Sequence, residues 1–435
     1  MSAALISSIG IGLLFLLMLL HVPVGGAMII AGLIAFGLQV GSGPALSLLA
    51  SEPAGYLASQ DLAVIPMFLL MGVFAGAAGL SQDLYRLAYG FLGHRRGGLA
   101  YATIGGCAGF GAICGSSVAT AATMAKVALP EMRQRHYHTG FAAGTIAAGG
   151  GLGMLIPPSI VLVVYAIMTE QFIVAMFAAA LVPALVAVVM QFLAVFVYAR
   201  VYPHHCPVGE RISWPERLQL VRQSWRVLVL VIVVSGGIYG GVFTVNEAAA
   251  VGAVLAGLFA WRAKALTWSH LKSVFLETAT TTAMLYLMVI GAAIFTYFLS
   301  VSRVPMQLVD WVQSLGLEPL TVLLVLLVLY LLLGCIFESV SSLIVTLPFV
   351  FPLILEMGVD PIWWGVLCVM VIEIGLITPP IGMNLFVINS MAPDLSLRRI
   401  TVGTLPFLGF DIVRVGVLLL VPALTLWLPG VLGLR

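Results

Sequence analysis

Charge is what this sequence has least of. Only 8% of its 435 residues are Asp, Glu, Lys or Arg, against 62% hydrophobic, and the mean hydropathy is +1.15. So few charges cannot clothe a soluble surface, which excludes an ordinary water-soluble domain. The net charge of +2 leaves no nucleic-acid footprint, because the basic residues are spread over short loops. Cysteine is scarce as well. Cys107, Cys114, Cys206, Cys335 and Cys368 are unpaired by spacing, and four lie in apolar segments, so they read as small core residues rather than a disulfide or metal set. His136, His138, His204 and His205 sit in polar loops with no Cys or carboxylate cluster to complete a metal site, and they read as solvated loop side chains. The apolar segments hold no nucleophile with its base and no His-Glu-x-x-His, which argues against an intramembrane enzyme. The opening MSAALISSIGIGLLFLLMLLHVPVGG lacks a basic start and a cleavage site, so its apolar run is expected to remain as a span.

What the chain has instead is length without charge. Segments 139–169, 171–199 and 319–337 contain no Asp, Glu, Lys or Arg. A spanning helix needs about 20 mostly apolar residues, whereas barrel strands are about 10 long and alternate in polarity. The reading is an all-α integral membrane protein. Basic residues concentrate in 81–98, 126–138, 200–226, 262–272 and at Arg398–Arg399, while 41–63 and 356–360 carry only acids. Because Lys and Arg mark cytoplasmic loops, the basic segments are placed inside and 41–63, 303–318 and 356–360 outside.

With those sides fixed, the spans alternate in one way. Segments 3–40 (two spans), 64–80, 139–169 and 171–199 form the first half, with 99–131 as a re-entrant hairpin because both its flanks are basic and its arms are short. The second half repeats this upside down: 227–260 broken near Gly240, 275–299, a hairpin over 319–355, then 361–393 and 404–428. Ten spans and two hairpins result. The prolines keep register, Pro379 following Pro157 by 379 − 157 = 222 and Pro352 following Pro130 by 352 − 130 = 222. Two inverted halves are the build of many secondary transporters, whose sites form at the midplane.

Two membrane-length segments carry matching helix breakers, GGGLGMLIPPSI at 149–160 and IGLITPPIGMNL at 374–385. Proline removes a donor and clashes with the preceding turn, and the freed carbonyls are costly in hydrocarbon unless protein, water or an ion satisfies them. Carbonyl and hydroxyl oxygens suit a hard cation, and the half-helix N-termini beyond each break suit an anionic substrate. The candidate Na⁺ set is therefore Gly115, Ser116, Ser117, Gly150, Gly153 and Pro157 in the first half, with Glu338, Ser339, Gly375, Thr378 and Pro379 in the second. Candidate substrate contacts are Ser117, Thr120, Ser342, Thr346 and Asn384. Glu338 could attract a cation, hold a proton or bond backbone amides, and Glu373 carries the same argument. Asp411 and Arg414, three apart, read as a mutual structural pair.

The segments CGSSVATAATMAKVALPEM, GLGMLIPPSIVLVVYA, GGIYGGVFTVNEAAAV and EIGLITPPIGMNLFVI resemble the large membrane subunit of tripartite ATP-independent periplasmic (TRAP) transporters, in the family's order over nearly the full chain. Val245-Asn246 stands where Pro-Thr is usual, and Glu338 and Glu373 where Asp and Asn are frequent. The resemblance implies an inverted-repeat elevator transporter of the bacterial inner membrane that imports an organic acid with Na⁺ as coupling ion. No cofactor is implied. It also implies two partners besides membrane lipid, a small four-helix membrane subunit and a periplasmic substrate-binding protein. Residues 1–98 would then be the first scaffold part, 99–169 the first hairpin and broken helix, and 170–318 scaffold and connecting helices. Residues 319–393 would be the second hairpin and broken helix, and 394–435 the C-terminal helix. A self-sufficient Na⁺- or H⁺-coupled carboxylate carrier of related hairpin architecture is the alternative.

Overall fold

The structure, a computed structural model, describes residues 3–434. Among these the regular structure is helical, apart from one backbone bridge between Arg96 and Val208. The first half contains α1 (Ala3–Leu19), α2 (Val24–Val40), α3 (Ser42–Leu57), α4 (Val64–Ala77), α5 (Leu80–Leu92), α6 (Gly98–Cys114), α7 (Ser117–Gln134), α8 (Thr139–Leu155), α9 (Ile160–Met168) and α10 (Ile173–Val201). After α11 (Trp214–Gln223) come α12 (Trp225–Val231), a π-turn at Ile232–Gly236, α13 (Gly237–Tyr239), α14 (Val245–Arg262), α15 (Trp268–Ser302) and α16 (Val304–Ser314). The chain closes with α17 (Pro319–Ile336), α18 (Ser339–Glu356), α19 (Pro361–Gly375), α20 (Met383–Met391), α21 (Leu397–Leu420) and α22 (Ala423–Val431).

Among the described residues six helical segments are long and apolar enough to cross a membrane, and up to eight if each of two bent pairs counts as one. The hairpin arms α17 and α18 are among the six by length, while α6 and α19 are shorter apolar helices. Residues 41–63, expected as an outside loop, are instead mostly α3, bent 59° from the helix that follows. The loops expected at 81–98 and 303–318 likewise contain α5 and α16. Both are amphipathic helices whose surface charges disguise them as loop sequence.

Helix ends fall where side chains can satisfy backbone groups. The Ser159 hydroxyl accepts from the Leu162 N–H to start α9, and Thr244 with Glu247 forms a reciprocal cap on α14. His138 does the same for α8 through Nδ1, which accepts from the Phe141 N–H, while its ring stacks on His205 with centroids 4.4 Å apart. Partial burial, then His205 and Arg399, push the His138 pKa down and keep the ring in the neutral form that can accept. These histidines, expected to be merely solvated, thus fasten two loops together.

The basic loops gather at one end of the molecule. Tyr137 donates to the Pro207 carbonyl at 3.1 Å, Arg226 pairs with Asp83 at 2.7 Å, and Arg133 pairs with Asp394 at 2.9 Å. Two packing groups lie between the ends. In one, α2 packs on α15 and α4 on α14; in the other, α8 is surrounded by α6, α7, α10, α19, α20 and α21. The body around the hairpins therefore includes the long helices α10 and α21. At the α8–α21 crossing, a Cβ added to Gly403 would lie 1.8 Å from the Gly140 carbonyl oxygen, so only glycine permits that approach.

Candidate functional site

In both halves a backbone hydrogen bond joins the break to its hairpin. Past the first break, the Ile160 N–H donates to the Gly115 carbonyl of the first tip at 3.3 Å; past the second, the Gly382 N–H donates to the Cys335 carbonyl of the second hairpin at 3.0 Å. The two donors are repeat mates, 382 − 160 = 222. Gly115 turns the first tip at φ +65°, and Gly382 leaves the second break at φ +64°. Both Pro-Pro bonds, Pro157-Pro158 and Pro379-Pro380, are cis. Each hairpin is also docked on its broken helix by glycines. A Cβ on Gly111 would lie 2.5 Å from Gly153 Cα, and one on Gly375 2.6 Å from the carbonyl carbon of Gly334.

The freed carbonyls are not all treated alike. Prolines 157 and 158 deprive the Gly153 and Met154 carbonyls of their helical donors, as prolines 379 and 380 deprive those of Gly375 and Leu376. The Ser159 hydroxyl serves Met154, the Thr378 N–H serves Gly375 at 3.0 Å, and the Asn384 N–H serves Leu376 at 3.0 Å. Among the described residues no donor reaches the Gly153 carbonyl. A Cβ on Gly153 would lie 2.4 Å from Thr120 Oγ1 and 2.8 Å from the Ser116 carbonyl oxygen. Thr120 Oγ1 is itself buried, its other polar neighbour being the Cys114 thiol. Gly150 packs against Ala121 on the same face of α7. A carbonyl lacking its donor, with the neutral oxygens of Gly115, Ser116 and Thr120 close by, suits a cation.

Asn384 links this region to the other half. Its fully buried amide donates to Ser117 Oγ at 2.8 Å and to the Ala147 carbonyl at 3.2 Å, leaving Oδ1 buried without a partner. Ser117, Thr120 and Asn384 thus come together with the first tip. Ser342 and Thr346 do not join them. Ser342 bonds back to the Glu338 carbonyl at 3.2 Å, and Thr346 ties the arms of the second hairpin through Tyr330 at 2.8 Å. The Glu338 carboxylate caps α18, accepting from the Val340 and Ser341 N–H groups and, at 2.7 Å, from the Ser339 hydroxyl. The breaks differ in surroundings. Pro157 is buried, whereas Pro379 is exposed and Thr378 half-buried.

A cluster that spacing did not reveal lies beside the breaks. Arg414, fully buried, reaches Glu373 Oε2 and Asp411 Oδ1 at 3.3 Å each, so the expected Asp411–Arg414 pair is a triad joining α19 to α21. Glu373 also lies against α8, where a Cβ on Gly151 would fall 2.7 Å from its Cγ. Gly151 and Glu373 are repeat mates, 373 − 151 = 222. The triad therefore sits where the two halves touch each other at equivalent positions.

Residues 11–424 match the family described as tripartite ATP-independent periplasmic transporter, DctM component. The chain belongs to this family. It is 38% identical over 376 residues to the C4-dicarboxylate TRAP transporter large permease protein DctM of Pseudomonas aeruginosa, covering 86% of this chain and 87% of that one. It is 30% identical over 422 residues to the sialic acid TRAP transporter large permease protein SiaM of Vibrio cholerae, covering 96% of each. In fold it is similar to the YdaH transporter of Alcanivorax borkumensis, with a TM-score of 0.64 at 14% identity over 90% of each chain. It is thus a multi-pass inner-membrane permease of the TRAP family.

Replacing Asn384 with leucine in this TRAP permease should leave the fold in place while removing the donor to Ser117. A lost buried hydrogen bond costs about 1–3 kcal/mol. Uptake is expected to fall roughly tenfold or more, with the detergent melting temperature shifted by only a few degrees. Full uptake by the variant would remove Asn384 from the site.

Proposed function

We propose that this permease imports an organic acid, a C4-dicarboxylate or similar carboxylate, in symport with Na⁺. The single observation that carries the proposal is the fit of the first hairpin tip against the first break, where a Cβ on Gly153 would lie 2.4 Å from the buried Thr120 Oγ1 and 2.8 Å from the Ser116 carbonyl oxygen, beside a Gly153 carbonyl that Pro157 leaves without its helical donor. Na⁺ bound there would complete their coordination and offset substrate charge. The N-termini of α9 and α20, beginning just past the breaks, would add positive dipole ends toward a carboxylate. The anionic class also agrees with relatives named for C4-dicarboxylate and sialic acid.

In this reading α6–α10 and α17–α21 move as one elevator body against a scaffold of α2, α4, α14 and α15. The unequal exposure of Pro157 and Pro379 fits a state in which one break is sealed and the other open. A small four-helix membrane subunit would complete the scaffold, and a periplasmic binding protein would deliver the substrate. The test is uptake into vesicles holding both membrane subunits, with the binding protein outside. Accumulation should require Na⁺ and the binding protein together, and should collapse when choline replaces Na⁺ at constant pH. Unchanged uptake in choline would sink the Na⁺ coupling; strong uptake without the binding protein would favour a self-sufficient carrier.

A further inference from the structure

Two cavities flank the hairpins, and they overlap in part under the repeat. One, of about 380 Å³, lies between α5 and α7 and is lined by Tyr85, Arg86, Tyr89, Lys126, Glu131 and Arg135 among others. The other, of about 460 Å³, lies between α16 and the second hairpin and is almost wholly apolar, with Leu308, Trp311 and Leu353 in its wall. Position for position, Arg86 corresponds to Leu308 (308 − 86 = 222), Tyr89 to Trp311 (311 − 89 = 222) and Glu131 to Leu353 (353 − 131 = 222). Part of the groove is thus built twice, oily in one half and charged in the other, while Lys126 and Arg135 have no counterpart in the apolar lining. Since Leu308 and Leu353 form the cavity as well as Arg86 and Glu131 do, packing of the groove does not demand the charges.

We infer that the charged groove holds the phosphate headgroup of an anionic phospholipid of the cytoplasmic leaflet. Its apolar counterpart opens among side chains expected to face hydrocarbon, Trp311 being 59% exposed, and the charged groove occupies the corresponding place in the inverted first half. The charged copy lies at the end of the molecule where the basic loops gather, and anionic headgroups are recognised by basic pockets between helices on that side. Arg86 and Lys126 are exposed and make no ion pair among the described residues, while Arg135 lies a long 3.9 Å from Glu131 and rests on the Tyr89 ring at 4.9 Å. The Tyr85 ring lies buried beside them, with Thr103 near its hydroxyl. Three cations against one carboxylate leave a net positive groove for a phosphodiester, and the tyrosine rings suit the interfacial depth of a headgroup.

Native mass spectrometry of the membrane complex, extracted from vesicles of equal phosphatidylglycerol and phosphatidylethanolamine content, tests this directly. The wild type should retain phosphatidylglycerol in preference, and the triple variant R86Q/K126Q/R135Q should lose that preference by about fivefold per cation removed. A second variant, R86K/R135K, keeps the charge and should keep the preference, and both variants should melt like the wild type. Equal retention of the two lipids, or an unchanged preference in the triple variant, overturns the assignment. So does displacement of the lipid by millimolar inorganic phosphate or succinate, which would make the groove a site for free anions.

Discussion

Arg414→Met should be the most damaging single substitution in the protein. The guanidinium is fully buried and is the cation shared by Glu373 and Asp411, which are themselves 3% and 2% exposed. Removing it strands two carboxylates where water cannot solvate them, and breaking a buried pair in this way costs about 3–5 kcal/mol. That is a large part of the stability of an ordinary domain. The variant should reach the membrane poorly and, once extracted, elute as aggregate when size-exclusion chromatography follows brief heating. Adding Glu373→Gln and Asp411→Asn removes the stranded charges and should restore most of the folded peak, because neutral groups of the same shape cost far less to bury. Transport by this neutralised triple variant then separates two roles. Recovery of uptake along with the fold makes the triad a structural clamp between α19 and α21. A folded but inactive protein would mean that the charge itself is needed, and would direct attention to proton coupling through Glu373.

Gly153→Ala should nearly abolish transport while leaving much of the fold. The added methyl would stand 2.4 Å from Thr120 Oγ1 and 2.8 Å from the Ser116 carbonyl oxygen, closer than real contacts allow. The first hairpin tip must retreat, and overpacking of this kind costs about 1–3 kcal/mol. Its larger consequence is geometric. The Thr120 hydroxyl and the Ser116 carbonyl would be pushed away from the break, so Na⁺ dependence should shift to at least roughly tenfold higher concentration, since each 1.4 kcal/mol is tenfold. Gly416→Ala is the control. Nothing lies within 4 Å of that position, and alanine in a helix interior should stabilise by up to about 1 kcal/mol. If Gly153→Ala transports normally with unchanged Na⁺ dependence, the first tip is not the cation site.

Features punctuated by Gly and Pro were legible in the sequence. The breaks at Pro157 and Pro379, the tips at Gly115 and Glu338, and the register of 222 between halves all follow from residues that the backbone obliges to sit where they do. Sequence reading faltered where the cause was not local. Helices α5 and α16 carry polar faces, so their charges looked like loops, and α3 hid in a segment with Gly, Pro and Glu. The Glu373–Arg414 contact joins residues 41 apart on different helices, and no periodicity announces it. The first tip's meeting with Asn384 is a contact across 267 residues, so only the folded chain reveals that Ser117 and Asn384 share a place while Ser342 and Thr346 are spent on their own hairpin.

That contact also says something about descent. The half-helix α20, from the second repeat, packs on α7 of the first, and α9 of the first repeat packs on α18 and α19 of the second. Each repeat has lent a piece to its sibling. Had the halves remained independent modules, mutations in one could accumulate without regard to the other. With Ser117 answering to Asn384 and Gly151 to Glu373, a change in either half alters the selection acting on its twin. The two copies are therefore free to diverge in their lipid-facing arms, where one became charged and the other oily, but are held in step wherever they touch.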